Sequence, residues 1–265
     1  LNKRTHRKIL VVDGKIGFEG GLGIADPYMG HAQDKEHWRD GQFRFEGPVV
    51  AQMQADFLDN WIKTGGALLD GPEYFPAIDS AGSQSAQAFR SSPGEGVESL
   101  RLLFLLAIAS ANDRILITNP YFVPNNLAVN MLVAARRRGV DVEIIVPGPI
   151  LDAQVVRRAS RAKWGPLLEA GVKIYEYQPT FIHTKVIVVD DCWASVGSAN
   201  FDNRSFRLND EANLNVFDQG FAREQARIFA DDRARSTQIT LQQWRKRPIT
   251  ERLEELVGRM VRHQL

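Results

Sequence analysis

One short pattern occurs twice in this chain. His6, Lys8 and Asp13 stand in the order H-x-K-x4-D, and His183, Lys185 and Asp190 repeat it within "FIHTKVIVVDD". Six residues separate Asp13 from Gly20 and six separate Asp190 from Gly197, so "GGLG" falls where "GSAN" falls in the later copy. A single H-x-K is a commonplace strand end, but two in register with a shared downstream frame imply an internal duplication. Side chains alternate across a strand, so histidine and lysine leave one face together while Val186–Val189 enters the core. "DG" and "DD" then close tight hairpins. The small residues that follow, Gly20, Gly21, Gly197 and Ser198, are expected to let a phosphate or substrate approach the backbone.

A neutral imidazole is a nucleophile or base near pH 7, and a lysine beside it is a positive charge suited to an anion. Two such pairs fit a phosphodiester. One histidine attacks phosphorus; the other protonates the departing oxygen and then deprotonates the second acceptor. Lys8 and Lys185, helped by Asn200 and Ser198, stabilise charge on the phosphoryl oxygens. The near symmetry of the two copies leaves the order of the histidines open. Asp13 and Asp190 close the hairpins and read as structural anchors. No metal site or cofactor is read, because His37 and Asp40 lack further ligands.

These motifs resemble those of the phospholipase D superfamily, and the likeness extends to "HWRDGQFRFEGP", "NPYFVPNN", "RAKWGPLLEAGVKIYEYQPTFIHTK", "GSANFDNRSFRLNDEANL" and "WRKRP". Over nearly the whole chain these segments are similar to bacterial cardiolipin synthases. The resemblance implies an α/β fold of duplicated phospholipase D-like halves, each a mixed, largely parallel sheet flanked by helices, with the active site at their interface. It implies a phosphatidyltransferase acting through a phosphohistidine on phospholipid phosphodiesters, with a hydrolase or nuclease as the alternative and a non-catalytic truncated relic as a third reading. It further implies that His6 is the nucleophile, His183 the general acid and base, Glu211 a histidine-orienting carboxylate and Asp40 its first-half counterpart. Of the residues themselves, Tyr121 and Phe122 are read as lining the way in for the acyl chain or headgroup, with core packing as the alternative for at least one of them. In one departure from the pattern, Gly23 stands where the first motif carries asparagine.

Strand and helix signals place a hairpin over 8–21, a strand over 42–46 and a helix over 49–62. A Gly-, Ser- and Pro-rich stretch runs from Gly65 to Gly96. Alternating elements follow, helix 97–111, strand 114–118, helix 127–139, strand 140–148, helix 157–171 and strand 172–177, which predicts a largely parallel sheet covered by helices. The expected division is 1–64 as the C-terminal portion of a first half, 65–85 as linker, 86–236 as the second half and 237–265 as a helical extension. Only five residues precede His6, so the first half is expected to lack its N-terminal portion and the fragment to self-associate through an open sheet edge.

The 265 residues are 44% hydrophobic and 25% charged, an ordinary globular composition. With 33 basic against 32 acidic residues the net charge is +1, which argues against a nucleic-acid partner. Cys192 is the only cysteine, so no internal disulfide forms and a reducing compartment is expected. The apolar run "LRLLFLLAIASA" is too short to span a bilayer. Anionic glycerophospholipids are therefore expected to be met peripherally, at the cytoplasmic face of a bacterial inner membrane, with the basic clusters "ARRRG" and "VVRRASRAK" as headgroup contacts or as solvated helix faces.

Overall fold

The computed structural model describes residues 3–93 and 98–248. The chain opens with β1 (Arg4–Thr5), then the hairpin β2 (Leu10–Val12) and β3 (Ile16–Gly20), β4 (Gln42–Glu46) and α1 (Val49–Lys63). After β5 (Ser85–Ser91) come α2 (Ser99–Ser110), β6 (Arg114–Thr118), α3 (Asn126–Arg137) and β7 (Asp141–Pro147). Next are α4 (Gln154–Arg161), α5 (Trp164–Glu169), β8 (Lys173–Tyr177) and the second hairpin, β9 (Val186–Val189) and β10 (Trp193–Gly197). The described chain closes with α6 (Asn203–Arg207), β11 (Asn209–Phe217), α7 (Gln219–Ala234), β12 (Ser236–Ile239) and α8 (Leu241–Arg245).

Nine strands form one sheet in the order β1-β11-β10-β9-β6-β7-β8-β12, with β5 also on β11, and β2-β3-β4 make a second, small sheet. The large sheet is mixed. Its parallel pairings are β6-β7, β7-β8 and β1-β11, and the rest are antiparallel. A two-residue turn can join strands only antiparallel, so the second H-x-K hairpin, β9-β10, brings antiparallel pairing into a sheet whose βαβ crossovers are parallel, while the first, β2-β3, belongs to the small antiparallel sheet. Alternation then divides the core. Ile115, Ile117, Ile187 and Val189 face α2, α3 and α5, whereas Leu116, Val186 and Val188 face a second cluster with Val50 and Met53 of α1 and Phe229 of α7.

Both hairpin turns hold two successive residues in the left-handed region, Asp13–Gly14 and Asp190–Asp191, with Lys15 N–H donating to Val12 O and Cys192 N–H to Val189 O. The turns differ in what supports them. The Asp190 carboxylate accepts from the N–H groups of Asn112, Asp113 and Arg114 at 2.8–2.9 Å, so it anchors the start of β6 rather than its own turn. Asp13 has no such contact among the described residues.

Three expectations need correction. The stretch read as irregular contains β5, which pairs with Glu211 through Phe217; its mixed Ala, Gln and Arg composition carries little strand signal. The helix expected over 157–171 is two helices. Pro166 has no N–H and its ring crowds the carbonyl of Ala162, where the first helix ends. The expected helical extension begins with β12, which adds an edge to β8; α8 follows, and 249–265 lie outside the described residues.

Candidate active site

Neither histidine sits within a regular strand. Each lies in the extended lead-in to its hairpin, and each lead-in pairs with a distant segment in the same way. Thr5 pairs in parallel with Asp210, and His6 N–H donates to Asp210 O at 2.9 Å. Ile182 pairs in parallel with Arg39, and His183 N–H donates to Arg39 O at 2.7 Å. The residue after each partner is a carboxylate, so the pairing crosses: Glu211 reaches His6 and Asp40 reaches His183. His6 Nδ1 lies 2.9 Å from Glu211 Oε2, and His183 Nδ1 lies 2.7 Å from Asp40 Oδ2. An ionised carboxylate accepts only, so each Nδ1 carries the proton and each Nε2 keeps its lone pair.

The lysines repeat the symmetry. Lys8 Nζ donates to His6 O at 3.0 Å and Lys185 Nζ to His183 O at 2.5 Å. Charges from both copies meet in one place: Asp40 and Glu211 act on Lys8 and Lys185 alike, and the Lys8 charge is felt at His183. Burial pushes Lys185 down to about 7, against the pull of Asp40, and lowers Lys8 in the same direction. Burial also holds His183 down to about 4, with Lys185 adding to the effect and the Asp40 hydrogen bond opposing it. For Glu211 burial works to raise the carboxyl, but His6 and the hydroxyls of Ser198 and Ser205 overcome it and keep it below the usual carboxylate range.

The small residues allow close approaches within the chain. A Cβ on Gly20 would lie 2.2 Å from Gly41 O, one on Gly21 would lie 2.2 Å from Asp40 Oδ1, and one on Gly197 would lie 2.4 Å from Ala212 O. These glycines let the segment that carries the carboxylate come close, Asp40–Gly41 just before β4 in one copy and β11 in the other. Ser198 is fully buried and its hydroxyl donates to Glu211 Oε2 at 2.6 Å, which positions the carboxylate. Asn209 Nδ2 joins it at 3.2 Å. Asn200 is buried beside them, and its Oδ1, like that of Asn209, has no hydrogen-bond partner among the described residues.

Aromatic rings enclose His183. Trp38, Phe181, Tyr28 and Tyr121 lie 5.4, 5.5, 5.7 and 6.5 Å from its ring, and the Tyr121 hydroxyl donates to Asp152. Of these only Tyr121 was expected near the site. Trp38 and Phe181 border sequence motifs, but nothing in a single sequence separates such rings from core packing. Arg7, between the first histidine and lysine, was also missed; its guanidinium bonds to Asp56 O, Asp59, Asn60 and Ser92, tying α1 to the site. His37 pairs with Asp34 and not with Asp40.

The basic clusters are largely committed elsewhere. Arg136 donates to Gly171 O and Val140 O, and Arg138 to Ala109 O and Ala111 O. Arg157 and Arg161 share the buried Glu176. These contacts fix the helices that carry the clusters to neighbouring backbone and to the Glu176 carboxylate.

Residues 104–233 match the family described as "Cardiolipin synthase, PLD-like domain". A cardiolipin synthase 2 of Staphylococcus epidermidis is 38% identical over 263 residues, covering 98% of this chain and 54% of its own length. A cardiolipin synthase of Geobacillus kaustophilus is likewise 38% identical, over 98% of this chain and 52% of its own length. The chain thus spans about half the length of the curated relatives it matches. Among solved structures, the phospholipase D family member Nuc of Salmonella typhimurium aligns with a TM-score of 0.52 and 28% identity, over 60% of this chain and 99% of Nuc. The phosphatidylserine synthase of Haemophilus influenzae aligns with a TM-score of 0.72 over 98% of this chain and 70% of its own; at 16% identity that likeness speaks to the fold.

Proposed function

Because this chain belongs to the phospholipase D superfamily and resembles the bacterial cardiolipin synthases, we propose that it serves phosphatidyl transfer between phospholipids through a phosphohistidine. The observation that carries the reading is the crossed pairing, in which each histidine is held through Nδ1 by a carboxylate from the other copy. Both Nε2 atoms thereby keep their lone pairs, and the Lys8 and Lys185 ammonium groups share the electrostatic environment of the same two carboxylates.

His6 Nε2 attacks phosphorus, and the P–O bond to the leaving alcohol breaks as His183 delivers a proton to that oxygen. The alcohol of a second lipid then attacks phosphorus, gives its proton to His183, and the P–N bond breaks. In the free site His183 is neutral at pH 7, since burial holds its pKa near 4. A bound phosphodiester places a negative charge beside the ring and raises that value, so proton delivery is coupled to substrate binding. Asn200 stands at the motif position where the first copy has Gly23, and its Nδ2 hydrogens would donate to the phosphoryl oxygens beside the lysines.

The substrate class that fits is an anionic glycerophospholipid met at a bilayer surface on the cytoplasmic side. Among the described residues no helix is long and apolar enough to cross a membrane. The test is turnover of phosphatidylglycerol vesicles with mass analysis of products, together with trapping of an acid-labile protein phosphoramidate. Transfer gives cardiolipin and hydrolysis gives phosphatidic acid. Wild-type protein should form the adduct and His6→Asn should not, with turnover lower by about a thousandfold or more. An adduct that persists in His6→Asn and vanishes in His183→Asn would reverse the two roles, and no lipid product from wild type would remove the proposal.

A further inference from the structure

The two motif copies differ at the position that, on the reading above, adjoins the reacting phosphate. The second copy places the buried Asn200 there, while the first copy has Gly23. That gap is filled. A Cβ built on Gly23 would lie 2.9 Å from Tyr28 Cε2, 3.3 Å from Cζ and 3.4 Å from the hydroxyl oxygen. The hydroxyl-bearing edge of the ring therefore occupies the space into which an asparagine side chain would project.

Tyr28 is held there from two sides. Its ring meets Trp38 edge-on at 4.9 Å and His183 edge-on at 5.7 Å. Residues 26–28 form a single 3-10 turn that begins at Asp26, with Pro27 fixing the backbone just before the tyrosine. No hydrogen bond satisfies the hydroxyl among the described residues. Burial, helped by the Asp40 and Asp152 carboxylates, pushes its pKa up to about 12, so it stays a protonated donor through the working range. A neutral donor suits a phosphoryl oxygen and cannot serve as a base.

Resting on the paired-histidine reading above, we propose that Tyr28 is a catalytic residue whose hydroxyl donates a hydrogen bond to a non-bridging phosphoryl oxygen, in place of the asparagine amide that the first motif lacks. The reaction then uses one amide and one phenol on opposite sides of phosphorus. The arrangement also explains why glycine is compatible with this copy: an asparagine at 23 and the tyrosine ring exclude one another as they stand.

The experiment compares Tyr28→Phe, Tyr28→Ala, Tyr28→Ala with Gly23→Asn, and Lys185→Ala, on phosphatidylglycerol vesicles and with orthovanadate as a five-coordinate phosphorus mimic. Tyr28→Phe keeps the ring and its contacts, and should lower kcat about tenfold or more with KM within twofold, weakening vanadate inhibition by the same factor. Adding Gly23→Asn to Tyr28→Ala should restore at least about fivefold over Tyr28→Ala alone, because the amide then stands where the hydroxyl stood. Wild-type kcat and vanadate inhibition in Tyr28→Phe, with Lys185→Ala down a hundredfold, would overturn the Tyr28 assignment and leave the paired site standing. Failure of Gly23→Asn to improve Tyr28→Ala would overturn it too. Unchanged activity in Lys185→Ala would bring down the paired-site reading and this inference with it.

Discussion

His6 and His183 share a hydrogen-bond frame and differ in almost everything that surrounds it. Each takes a backbone bond from the segment it pairs with, a carboxylate on Nδ1 and a lysine on its own carbonyl. Yet the His6 side chain is 27% exposed, while that of His183 is 6% exposed inside four aromatic rings. The strand after His183 is buried throughout between β6 and β10, whereas Leu10, after His6, is 57% exposed. Local frame fixes which nitrogen is free; what covers the frame fixes when that nitrogen is charged. Two residues alike in sequence and in bonding can thus take opposite roles in one reaction.

The crossed carboxylates offer the sharpest way to break that comparison. Asp40→Asn and Glu211→Gln each replace an acceptor-only group by an amide that no longer dictates which ring nitrogen carries the proton. Each should lower kcat by about a hundredfold or more, as loss of a tautomer-fixing carboxylate does elsewhere. Steady-state turnover of the two variants side by side is the check. If either stays within threefold of wild type, the frame is not shared in function, whatever its geometry.

How much of this could be read from the chain follows from range. The motif histidines and lysines declare themselves by spacing, and the hairpins by turn chemistry at Asp13–Gly14 and Asp190–Asp191. The carboxylates came from resemblance, and nothing in the sequence said that they would cross, because Glu211 lies 205 residues from His6 and Asp40 lies 143 from His183. Ser198 and the glycines mark close approaches that the sequence could locate. A small residue reports a close approach but not its partner, which here is the segment bearing the carboxylate. Tyr28 sits in a loop without periodicity, and only the space above Gly23 reveals what it does.

Coverage makes a pH prediction of intermediate size. His183 has its pKa lowered to about 4 in the folded chain, mainly by burial, against an ordinary value near 6.5. A depressed pKa means that the unfolded chain binds the proton more readily, so stability is intact above pH 6.5 and falls as pH drops toward 4. The loss amounts to about 3 kcal/mol over that interval. Urea denaturation at pH 7 and pH 4 should therefore show a smaller acid loss in His183→Gln than in wild type. Unchanged acid sensitivity in His183→Gln would mean that the aromatic enclosure does not govern this titration.

The smallest contrast lies in the two turn aspartates, which occupy matched left-handed positions with φ of 52° at Asp13 and 50° at Asp190. Asparagine tolerates that conformation as well as aspartate, so Asp→Asn leaves the backbone cost equal at both sites and isolates the carboxylate. Asp190 uses both oxygens, Oδ2 for Asn112 N–H and Oδ1 for Asp113 and Arg114 N–H, and these bonds hold its pKa below the usual range against its partial burial. An amide in its place keeps one acceptor and turns an NH2 toward a donor, which should cost about 2 kcal/mol. Asp13, without such bonds among the described residues, should lose less than about 0.5 kcal/mol on the same change. Because the Asp190 pKa is depressed, its contribution is full above the ordinary carboxylate value and disappears as pH falls through the folded one, so the gap between the two variants should close in acid. Urea midpoints at pH 7 and pH 3 measure both the gap and its closure. Equal losses at pH 7 would show that the turns, and not the strand start that only Asp190 ties down, are what these aspartates support.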